Sequence, residues 1–510
     1  MPNGTLILRA DASIAMGTGH VMRCLALAQA WQDQAWQDQA GQCIFAMAET
    51  TAASQERIRG DRFETLPVAA IPGSLQDAAQ VVKLARARNS SWIVLDGYQF
   101  DVEYQRRLKA AGLKVLMVDD TGHAGAYVAD LVLDQNAHAT KDFYQQRESY
   151  SQLLLGPRYA LLRREFRPWR EWKREIAPVA RKVLLTVGGS DPDNVSIRII
   201  RGLGLLAENN LETTIVAGGA NPHIDSLEEE IGRMGGRFRL VRDTFDMPRL
   251  MADADVAISA AGITCWELCL LGLPAVLIDV AENQTPVAHE LERRGVAIYA
   301  GRSQQVTPEE IAARLRLLLA VPERRAAMSE RGRRLVDGGG AERVVSAMQP
   351  LILHLRPAER KDCRLLWEWA NDPVTRAAAF STEAIPWEHH QAWFEDKMED
   401  PNCLLLIGEN SEGRPVGQIR LDLRSEQEGE IDVSVSPDAR GSGVGSRLID
   451  LGVREAFART DAECLHAFIR RENEMSVRAF ERAHFLKVGE DVVKLQPALH
   501  YCRSKNSRPI

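Results

Sequence analysis

The residues best suited to chemistry in this sequence lie just after its first short apolar run. The acid Asp11 is followed by Gly17 and Gly19, and then by His20 and Arg23. A glycine turn that opens a helix presents backbone N–H groups and the positive end of the helix dipole, which together suit an anion. A histidine in the first helical turn would place one titratable imidazole beside that anion. The stretch therefore predicts anion binding combined with proton transfer.

The alternative is an ordinary strand-to-helix turn with a surface histidine, because glycine turns are common in α/β proteins. The stretch has no Gly-Lys-Ser/Thr of a Walker A loop, and Met22 takes the third glycine position of a dinucleotide-binding motif. Residues 9–24 as a whole are more specific. They resemble the opening of the UDP-sugar hydrolases of pseudaminic acid biosynthesis, whose signature is Arg-x-Asp-x-Ser…Gly-x-Gly-His-x-x-Arg-Cys. The resemblance implies that His20 is the catalytic base, and we expect Asp11 to orient His20 or the attacking water. The UDP-sugar site would include Gly17, Gly19 and Arg23.

A second group of glycine turns and polar residues lies between residues 188 and 284. It resembles the nucleotide-binding half of GT-B glycosyltransferases, particularly the enzyme that moves GlcNAc from UDP-GlcNAc onto lipid I. The resemblance implies glycines close to the pyrophosphate, a helix N-terminus beside the phosphates, a glutamate on the ribose and a polar pair on the sugar. Taken singly, each residue has a plainer reading as a turn or surface helix residue. The residues assigned to UDP-sugar binding are Gly188, Gly189, Asn194, Gly262, Thr264, Glu267, Asn283 and Gln284.

The segment 430–436 alternates strictly between polar and apolar residues, which predicts a strand with one buried face. A glycine-rich loop and an amphipathic helix follow it. Strand, loop and helix resemble the acetyl-CoA site of the GNAT acyltransferases, Arg/Gln-x-x-Gly-x-Gly/Ala. The resemblance implies that loop amides and the helix N-terminus hold the pyrophosphate of CoA. The residues assigned to acetyl-CoA are Val433, Val435, Arg440, Gly441, Gly443, Val444, Gly445, Asn473 and Phe480.

The acid and base of acetyl transfer are less clear from the sequence. Many GNAT enzymes carry a tyrosine general acid where this chain has Phe480, which cannot donate a proton. A thiol with a pKa of about 8.5 is a tolerable leaving group without protonation, so the acid stays unassigned. Glu430 or Asp432 could deprotonate the incoming amine, directly or through water. Both could equally be solvated strand residues, and His466 is a weaker candidate base.

The elements that must position these residues follow from the hydrophobic pattern. In the first half, short β-branched runs alternate with helical segments, which predicts parallel sheets in βαβ units. Several predicted strands end in acids, namely Asp11, Asp96 and the pair Asp119-Asp120. Ligands of open α/β sheets bind outside the carboxyl ends of the strands, so these acids should face the site. A single acid there would be an ordinary cap or turn residue.

The 510 residues allow two to four domains. We predict an α/β chain with two Rossmann-like lobes of GT-B type, followed by an α+β GNAT acetyltransferase domain. The predicted boundaries are 1–163 for the first lobe, 164–350 for the second lobe and 351–510 for the GNAT domain.

Composition excludes several classes of partner. The net charge of −7 gives no electrostatic footprint for nucleic acid or an anionic membrane. No apolar run is long enough to span a bilayer, and no secretory signal opens the chain. Eight cysteines without a Cys-x-x-Cys pair indicate reduced thiols and a cytoplasmic location. No cluster of metal-ligand residues is evident, so we expect no metal cofactor.

Together the two halves suggest consecutive steps on one nucleotide sugar, and the resemblance supplies the substrates. Acetyl-CoA would acetylate the 4-amine of UDP-4-amino-4,6-dideoxy-N-acetyl-β-L-altrosamine. The first half would then hydrolyse UDP-2,4-diacetamido-2,4,6-trideoxy-β-L-altropyranose to UDP and free sugar. The expected partners are the UDP-sugar, acetyl-CoA and other enzymes of the same pathway. One alternative is a UDP-sugar glycosyltransferase fused to an acetyltransferase. Another is a UDP-sugar binding module fused to a protein N-acetyltransferase.

Overall fold

The computed structural model describes residues 4–33, 41–206, 211–235, 237–349, 353–440 and 443–505. The chain divides into two compact units, Met1–Met348 and Gln349–Ile510. Unit 1 (Met1–Met348) contains two parallel sheets, and unit 2 (Gln349–Ile510) contains a mixed sheet. The predicted fold class is confirmed: two Rossmann-like lobes precede a GNAT-like domain.

The first lobe is built on a parallel sheet with the strand order β3-β2-β1-β4-β5-β6-β7. Its central strands are fully buried because helices cover both faces of a parallel sheet. The strands are β1 Leu6–Ala10, β2 Cys43–Met47, β3 Glu64–Pro67, β4 Trp92–Asp96, β5 Lys114–Val118, β6 Leu131–Asp134 and β7 Gln152–Leu155. The helices are α1 Gly19–Asp33, α2 Ala52–Gly60, α3 Leu75–Ala87 and α4 Val102–Ala110.

The second lobe repeats this plan with the strand order β10-β9-β8-β11-β12-β13, again all parallel. Its strands are β8 Lys182–Thr186, β9 Glu212–Ala217, β10 Phe238–Arg242, β11 Val256–Ala260, β12 Ala275–Asp279 and β13 Ala297–Arg302. Its helices are α5 Val195–Gly204, α6 Ile224–Met234, α7 Met247–Asp253, α8 Thr264–Leu270, α9 Thr285–Arg293, α10 Pro308–Leu319 and α11 Pro322–Leu335. In both lobes the strand order reverses beside the first strand, which opens a crevice at the carboxyl ends.

Helix α12 (Gly340–Met348) returns to the first lobe after the second lobe is complete. Val344 and Met348 lie in the same hydrophobic core as Leu25 of α1. Gly340 allows the close approach, because a Cβ at this position would lie 2.2 Å from the carbonyl oxygen of Ala160. The sequence prediction assigned residues up to 350 to the second lobe, whereas packing joins this helix to the first lobe.

Unit 2 contains a sheet with the strand order β14-β15-β16-β17-β18-β20-β19. The antiparallel pair β15–β16 forms a hairpin whose turn lies at residues 411–414. Neighbouring strands are antiparallel except β17 and β18, which run parallel. The strands are β14 His354–Pro357, β15 Cys403–Glu409, β16 Pro415–Leu423, β17 Glu428–Val435, β18 Cys464–Arg470, β19 Leu486–Val493 and β20 Gln496–Ser504. The helices are α13 Cys363–Ala370, α14 Pro373–Ala378, α15 Trp387–Glu399, α16 Val444–Arg459 and α17 Glu474–Arg482.

Strands β17 and β18 share only a short paired segment. Glu428–Glu430 pairs with Cys464–His466, and beyond these residues the two strands have no pairing with each other. One face of the sheet packs against α16, whose Ile449 shares a core with Ile431 and Leu465. The carboxyl-terminal part of β17 therefore has a free edge on the side of β18, and this edge can receive a ligand.

Candidate functional site

The reversal of strand order in the first lobe brings together a histidine and a carboxylate. His20 is the second residue of α1, and Asp96 is the last residue of β4, the strand that pairs with β1. The Nδ1 atom of His20 lies 2.6 Å from Oδ1 of Asp96. Among the described residues, Nε2 of His20 has no hydrogen-bond partner. The imidazole is therefore held at one nitrogen and available at the other.

Asp96 is itself fixed by Arg23, one turn further along α1. The guanidinium donates from Nε to Oδ2 at 3.0 Å and from Nη2 to Oδ1 at 2.6 Å. Burial by itself would raise the pKa of Asp96, but Arg23 and His20 outweigh it and lower that pKa below its usual range. Nη2 of Arg23 also lies 2.9 Å from Nδ1 of His20, but the Asp96 carboxylate at 2.6 Å is the closer contact. The charged carboxylate favours the proton on Nδ1, so that Nε2 keeps its lone pair. The arrangement can accept a proton from a water or hydroxyl group.

Asp11 does not occupy the position expected for it. Its Oδ1 accepts from Arg9 at 2.7 Å and from the backbone N–H groups of Ala48 and Glu49, and its Oδ2 accepts from Gln99. These bonds hold the carboxylate toward the loop after β2, so the expected contact with His20 is replaced by that of Asp96. The other expected role of Asp11, orienting the attacking water, stays a prediction.

A tyrosine that sequence reasoning did not identify extends the site toward the second lobe. The Tyr98 ring stands edge-on to the His20 ring, with centroids 5.5 Å apart. Its hydroxyl donates to Asp120 at 2.9 Å and accepts from Nδ2 of Asn283 at 2.6 Å. Nη1 of Arg23 lies 3.5 Å from the same Asp120 carboxylate. His20 is thus connected through Tyr98 to Asn283, a residue of the second lobe that was predicted to reach the sugar.

The glycine turns of the two lobes approach each other closely. A Cβ at Gly189 would lie 2.4 Å from Oγ1 of Thr18, so only glycine fits there without displacement. Gly188 has a φ of +96° and Gly17 a φ of +79°, both in the region that favours glycine. Gly19 is different, since a Cβ there would meet nothing within 4 Å. The contact between lobes is one reason for Gly189, and its approach to a pyrophosphate stays a prediction.

Glu267 is buried and ion-paired rather than on the helix surface. Its Oε1 accepts from Nη2 of Arg163 at 2.7 Å, across the two lobes. Burial raises the pKa of Glu267, and the lowering effect of Arg163 only partly offsets it. Nearby, Thr264 begins α8 as predicted, and Gln284 accepts from the N–H of Val280. A role for Glu267 on the ribose would require it to share its carboxylate with Arg163.

The first turn of α5 already has an anion of its own. Asp191, which the sequence analysis did not assign, accepts from the N–H groups of Val195 at 2.7 Å and Ser196 at 3.0 Å. Asn194 precedes the helix with a φ of +50° and donates to Ser226. A phosphate at this helix end would therefore compete with the carboxylate of Asp191.

In unit 2 the predicted alternation of β17 is present. Ile431 is buried on the α16 side, whereas Asp432 points to the other face with its side chain 52% exposed. Val433 and Val435 pack against apolar clusters on the α16 side, as partly buried residues. Glu430 forms an ion pair with Arg424. Both carboxylates thus lie on the face away from α16.

The glycine loop after β17 leads into α16 in the predicted order. Gly443 has a φ of +83° and immediately precedes Val444, the first residue of the helix. A Cβ at Gly445 would be in ordinary contact with Val435, at 3.5 Å. Gly441 lies outside the described residues. Arg440 forms an ion pair with Asp372 at 2.6 Å, next to the start of α14.

Two other residues assigned to acetyl-CoA have structural partners. Asn473 caps α17 by accepting from the N–H of Ser476 at 3.1 Å. Phe480 is only 4% exposed, and its ring packs edge-on against Phe485 with centroids 5.0 Å apart. Phe480 is therefore part of the hydrophobic core, which accounts for an apolar ring at this position.

Metal sites and membrane-spanning helices were considered for the described residues only. In that part of the chain, no three His, Cys, Asp or Glu side chains group together in a way that could hold a metal ion. Within the same ranges, no helix combines the length and apolarity needed to cross a bilayer.

Comparison with known proteins agrees with the fold of both units. Residues 183–340 match the glycosyltransferase family 28 C-terminal domain, and residues 353–486 match the acetyltransferase (GNAT) domain. An uncharacterised protein of Methanocaldococcus jannaschii is 20% identical over 495 residues, which are 94% of this chain and 96% of that protein. The UDP-2,4-diacetamido-2,4,6-trideoxy-β-L-altropyranose hydrolase of Campylobacter jejuni is 23% identical over 295 residues, 58% of this chain and 98% of that enzyme.

Among solved structures, the aminoglycoside acetyltransferase AAC(6')-Ib in complex with coenzyme A is 17% identical, with a TM-score of 0.28. It covers 30% of this chain and 95% of its own. The family matches coincide with the second Rossmann-like lobe and with unit 2. The chain is a fusion of a sugar-nucleotide module, made of two Rossmann-like lobes, with an acetyltransferase domain of the GNAT type.

Proposed function

We propose that unit 1 hydrolyses UDP-2,4-diacetamido-2,4,6-trideoxy-β-L-altropyranose to UDP and free sugar. The observation that carries the proposal is His20, which Asp96 holds at Nδ1 and whose Nε2 has no hydrogen-bond partner in the part of the chain that the structure describes. In the proposed step, Nε2 takes a proton from water while the water oxygen bonds to the anomeric carbon. The bond from that carbon to the phosphate oxygen breaks, and UDP leaves with the electron pair. The similarity to the Campylobacter jejuni hydrolase supports the choice of substrate.

The experiment is release of UDP from this substrate without any acceptor. We expect wild-type protein to release UDP and His20→Ala to be slower by about 10²-fold or more. His289→Ala is the matched control, because this exposed histidine of α9 is not part of the His20 pair. Equal rates for wild type and His20→Ala would remove the base assignment.

A glycosyltransferase is the second candidate, and the match of residues 183–340 to glycosyltransferase family 28 favours it. Such an enzyme would pass the sugar to an acceptor hydroxyl rather than to water. The same assay separates the two: UDP release that depends on an added acceptor indicates transfer, and release in water alone indicates hydrolysis.

We further propose that unit 2 transfers the acetyl group of acetyl-CoA to the 4-amine of UDP-4-amino-4,6-dideoxy-N-acetyl-β-L-altrosamine. The match to the GNAT domain and the free edge of β17 beyond Glu430 support acetyl-CoA binding. Val433 and Val435 lie along this edge, and Gly443, Val444 and Gly445 would hold the pyrophosphate at the start of α16. Release of CoA thiol with this amine, compared with a lysine peptide, separates the proposal from protein acetylation.

A further inference from the structure

Unit 2 contains a pair of hydrogen-bonded histidines on neighbouring strands. His466 lies on β18 and His500 on β20, with Nδ1 of His466 at 2.9 Å from Nε2 of His500. The His500 ring also stacks on Phe468, with centroids 4.6 Å apart and planes 19° apart. The stacking holds His500 in the orientation that meets His466. The two imidazoles can therefore share a proton along a defined line.

The pair stands where β17 and β18 separate. Glu430 and His466 form the last paired position of the two strands. Leu465 and Ala467, on either side of His466, lie in the core on the α16 side. Because successive side chains alternate across a sheet, His466 points to the other face, the face of Glu430. This places an imidazole at the inner end of the opening proposed for the acetyl donor.

One ring nitrogen of the pair lacks a partner. Nε2 of His466 is shielded from solvent and has no hydrogen-bond partner among the described residues. A buried polar atom without a partner costs free energy that a donor group on a bound ligand would recover. Burial and His500 lower the pKa of His466, and the nearby Arg424 acts in the same direction. Glu428 and Glu430 of β17 oppose these effects without reversing them. His466 is thus neutral near pH 7, with a lone pair at one nitrogen.

The two carboxylates considered from the sequence are less suited to this role. Glu430 is neutralised by Arg424, and Asp432 is half exposed, with Arg420 at 3.7 Å. We propose that His466 is the general base of acetyl transfer and that His500 is its positioning partner. This inference rests on the proposed acetyl transfer by unit 2.

The proton movements of the proposed step balance. Nε2 of His466 takes a proton from the ammonium group of the acceptor, and the proton on Nδ1 moves to Nε2 of His500. The free amine attacks the thioester carbon, a C–N bond forms and the C–S bond breaks. The nitrogen then loses its second proton to a solvent water, and the CoA thiolate leaves and takes up a proton from solvent. His500, half-buried, returns its extra proton to solvent.

The kinetic test uses the full-length protein, acetyl-CoA and the UDP-amino sugar named above. We expect His466→Asn to lower kcat by about 10²-fold near pH 7 and to abolish the acidic limb of the pH profile of kcat/KM. The Kd for acetyl-CoA should stay within about twofold, since no CoA-binding role is assigned to His466. The exposed His354 of β14 provides the control His354→Asn, with an unchanged profile.

The positioning role of His500 has its own test. His500→Leu removes the acceptor for Nδ1 of His466, and we expect about a tenfold loss of kcat. The acidic limb should also move to higher pH, because His500 is one of the groups that lower the pKa of His466. His500→Gln should recover part of the loss, because its amide oxygen can accept from Nδ1. Equal losses in the Leu and Gln variants would overturn the positioning role.

Two outcomes separate this inference from the proposed function. If wild type releases CoA with the amino sugar but His466→Asn stays within threefold at every pH, the base assignment is wrong. The assignment is also wrong if the acidic limb of the pH profile disappears in Glu430→Gln and remains in His466→Asn. If wild type does not acetylate the amino sugar, the proposed function fails. In that case histidine ¹⁵N NMR of the full-length chain still tests the pair. The titration of His466 must then differ between wild type and His500→Leu.

Discussion

The two histidines proposed as bases, His20 and His466, are both held at Nδ1, but their partners differ in charge. In unit 1, Nδ1 of His20 faces the Asp96 carboxylate, which Arg23 keeps ionised. In unit 2, Nδ1 of His466 faces the imidazole ring of His500. A carboxylate stabilises the imidazolium that forms after proton transfer, whereas a second imidazole offers only a place for the proton to go. The first arrangement suits the deprotonation of water, and the second suits an amine whose proton is easier to remove.

Both pairs lie beside a pair of parallel strands, but for different reasons. In unit 1, β1 and β4 are fully paired, and the reversal of strand order opens a crevice outside their carboxyl ends. In unit 2, β17 diverges from β18 after Glu430, so backbone groups of β17 beyond that residue are not paired with β18 and can serve a ligand. The comparison teaches that the placement of a histidine follows from strand order, and its chemistry from the groups opposite its Nδ1.

The largest expected effect comes from removing the charge that distinguishes the two pairs. Asp96→Asn should lower kcat for UDP release by about 10³-fold, because a neutral amide cannot stabilise an imidazolium. The acetyl-transfer rate of the same variant should equal that of wild type. Calorimetric affinity for UDP checks that the site remains folded. A loss below tenfold with unchanged UDP affinity would show that the carboxylate is dispensable.

A smaller effect should follow from Tyr98→Phe, which keeps the ring beside His20 and removes the hydroxyl. The bonds to Asp120 and Asn283 are lost, and the link between the lobes is weakened. We expect a fall of about tenfold in kcat/KM for UDP release. Asn283→Ala should produce a similar fall through KM. If Tyr98→Phe has no effect while Asn283→Ala does, the hydroxyl does not transmit the contact.

The last effect is on stability and leaves the rate unchanged. It concerns Asp134, a buried carboxylate of the first lobe that has no ion pair among the described residues. Burial raises the pKa of Asp134 to about 7, and the nearby Asp119 and Asp120 add to the rise. Its folded pKa exceeds its unfolded value, so its contribution to stability is complete at low pH and is lost as the pH rises through about 7. Asp134→Asn should therefore gain Tm relative to wild type between pH 5 and pH 8.

The rise of the Asp134 pKa from 3.8 to about 7 limits this gain in the free energy of unfolding to about 4 kcal/mol. The rate of UDP release should stay unchanged, since Asp134 bonds Tyr144 and the N–H of Asn136 instead of the His20 pair. Thermal unfolding followed by tryptophan fluorescence across this pH range measures the difference. A Tm difference that does not vary with pH would contradict the assignment.

Local sequence patterns were sufficient for several features of the site. The glycine turn before α1 and the histidine in its first turn follow from residues close together in sequence. The alternation of β17 also follows from period-two patterning, and its apolar face is buried as predicted. The short strand β3 was not predicted, because Glu64–Pro67 is half exposed and has no run of apolar residues.

Contacts between residues far apart in the sequence were less predictable. Asp11 follows β1 and Asp96 ends β4, and the sequence prediction placed Asp11, not Asp96, beside His20 or its water. The loop after β2 binds Asp11, and the pairing of β1 with β4 brings Asp96 to the imidazole. His500 lies 34 residues beyond His466, so only the pairing of β18 with β20 joins them.

The sequence by itself determined that His20 and the glycine turns could do chemistry, and it determined the strands and helices that have a clear hydrophobic period, because side-chain type and local periodicity act over a few residues. The tertiary structure alone decided the pairing of those residues: Asp96 with His20, Arg163 with Glu267, and His500 with His466. The physical reason is that hydrogen bonds and charge interactions act over a few ångströms. The residues that meet at that distance are set by strand order and by packing between lobes, which no local pattern encodes.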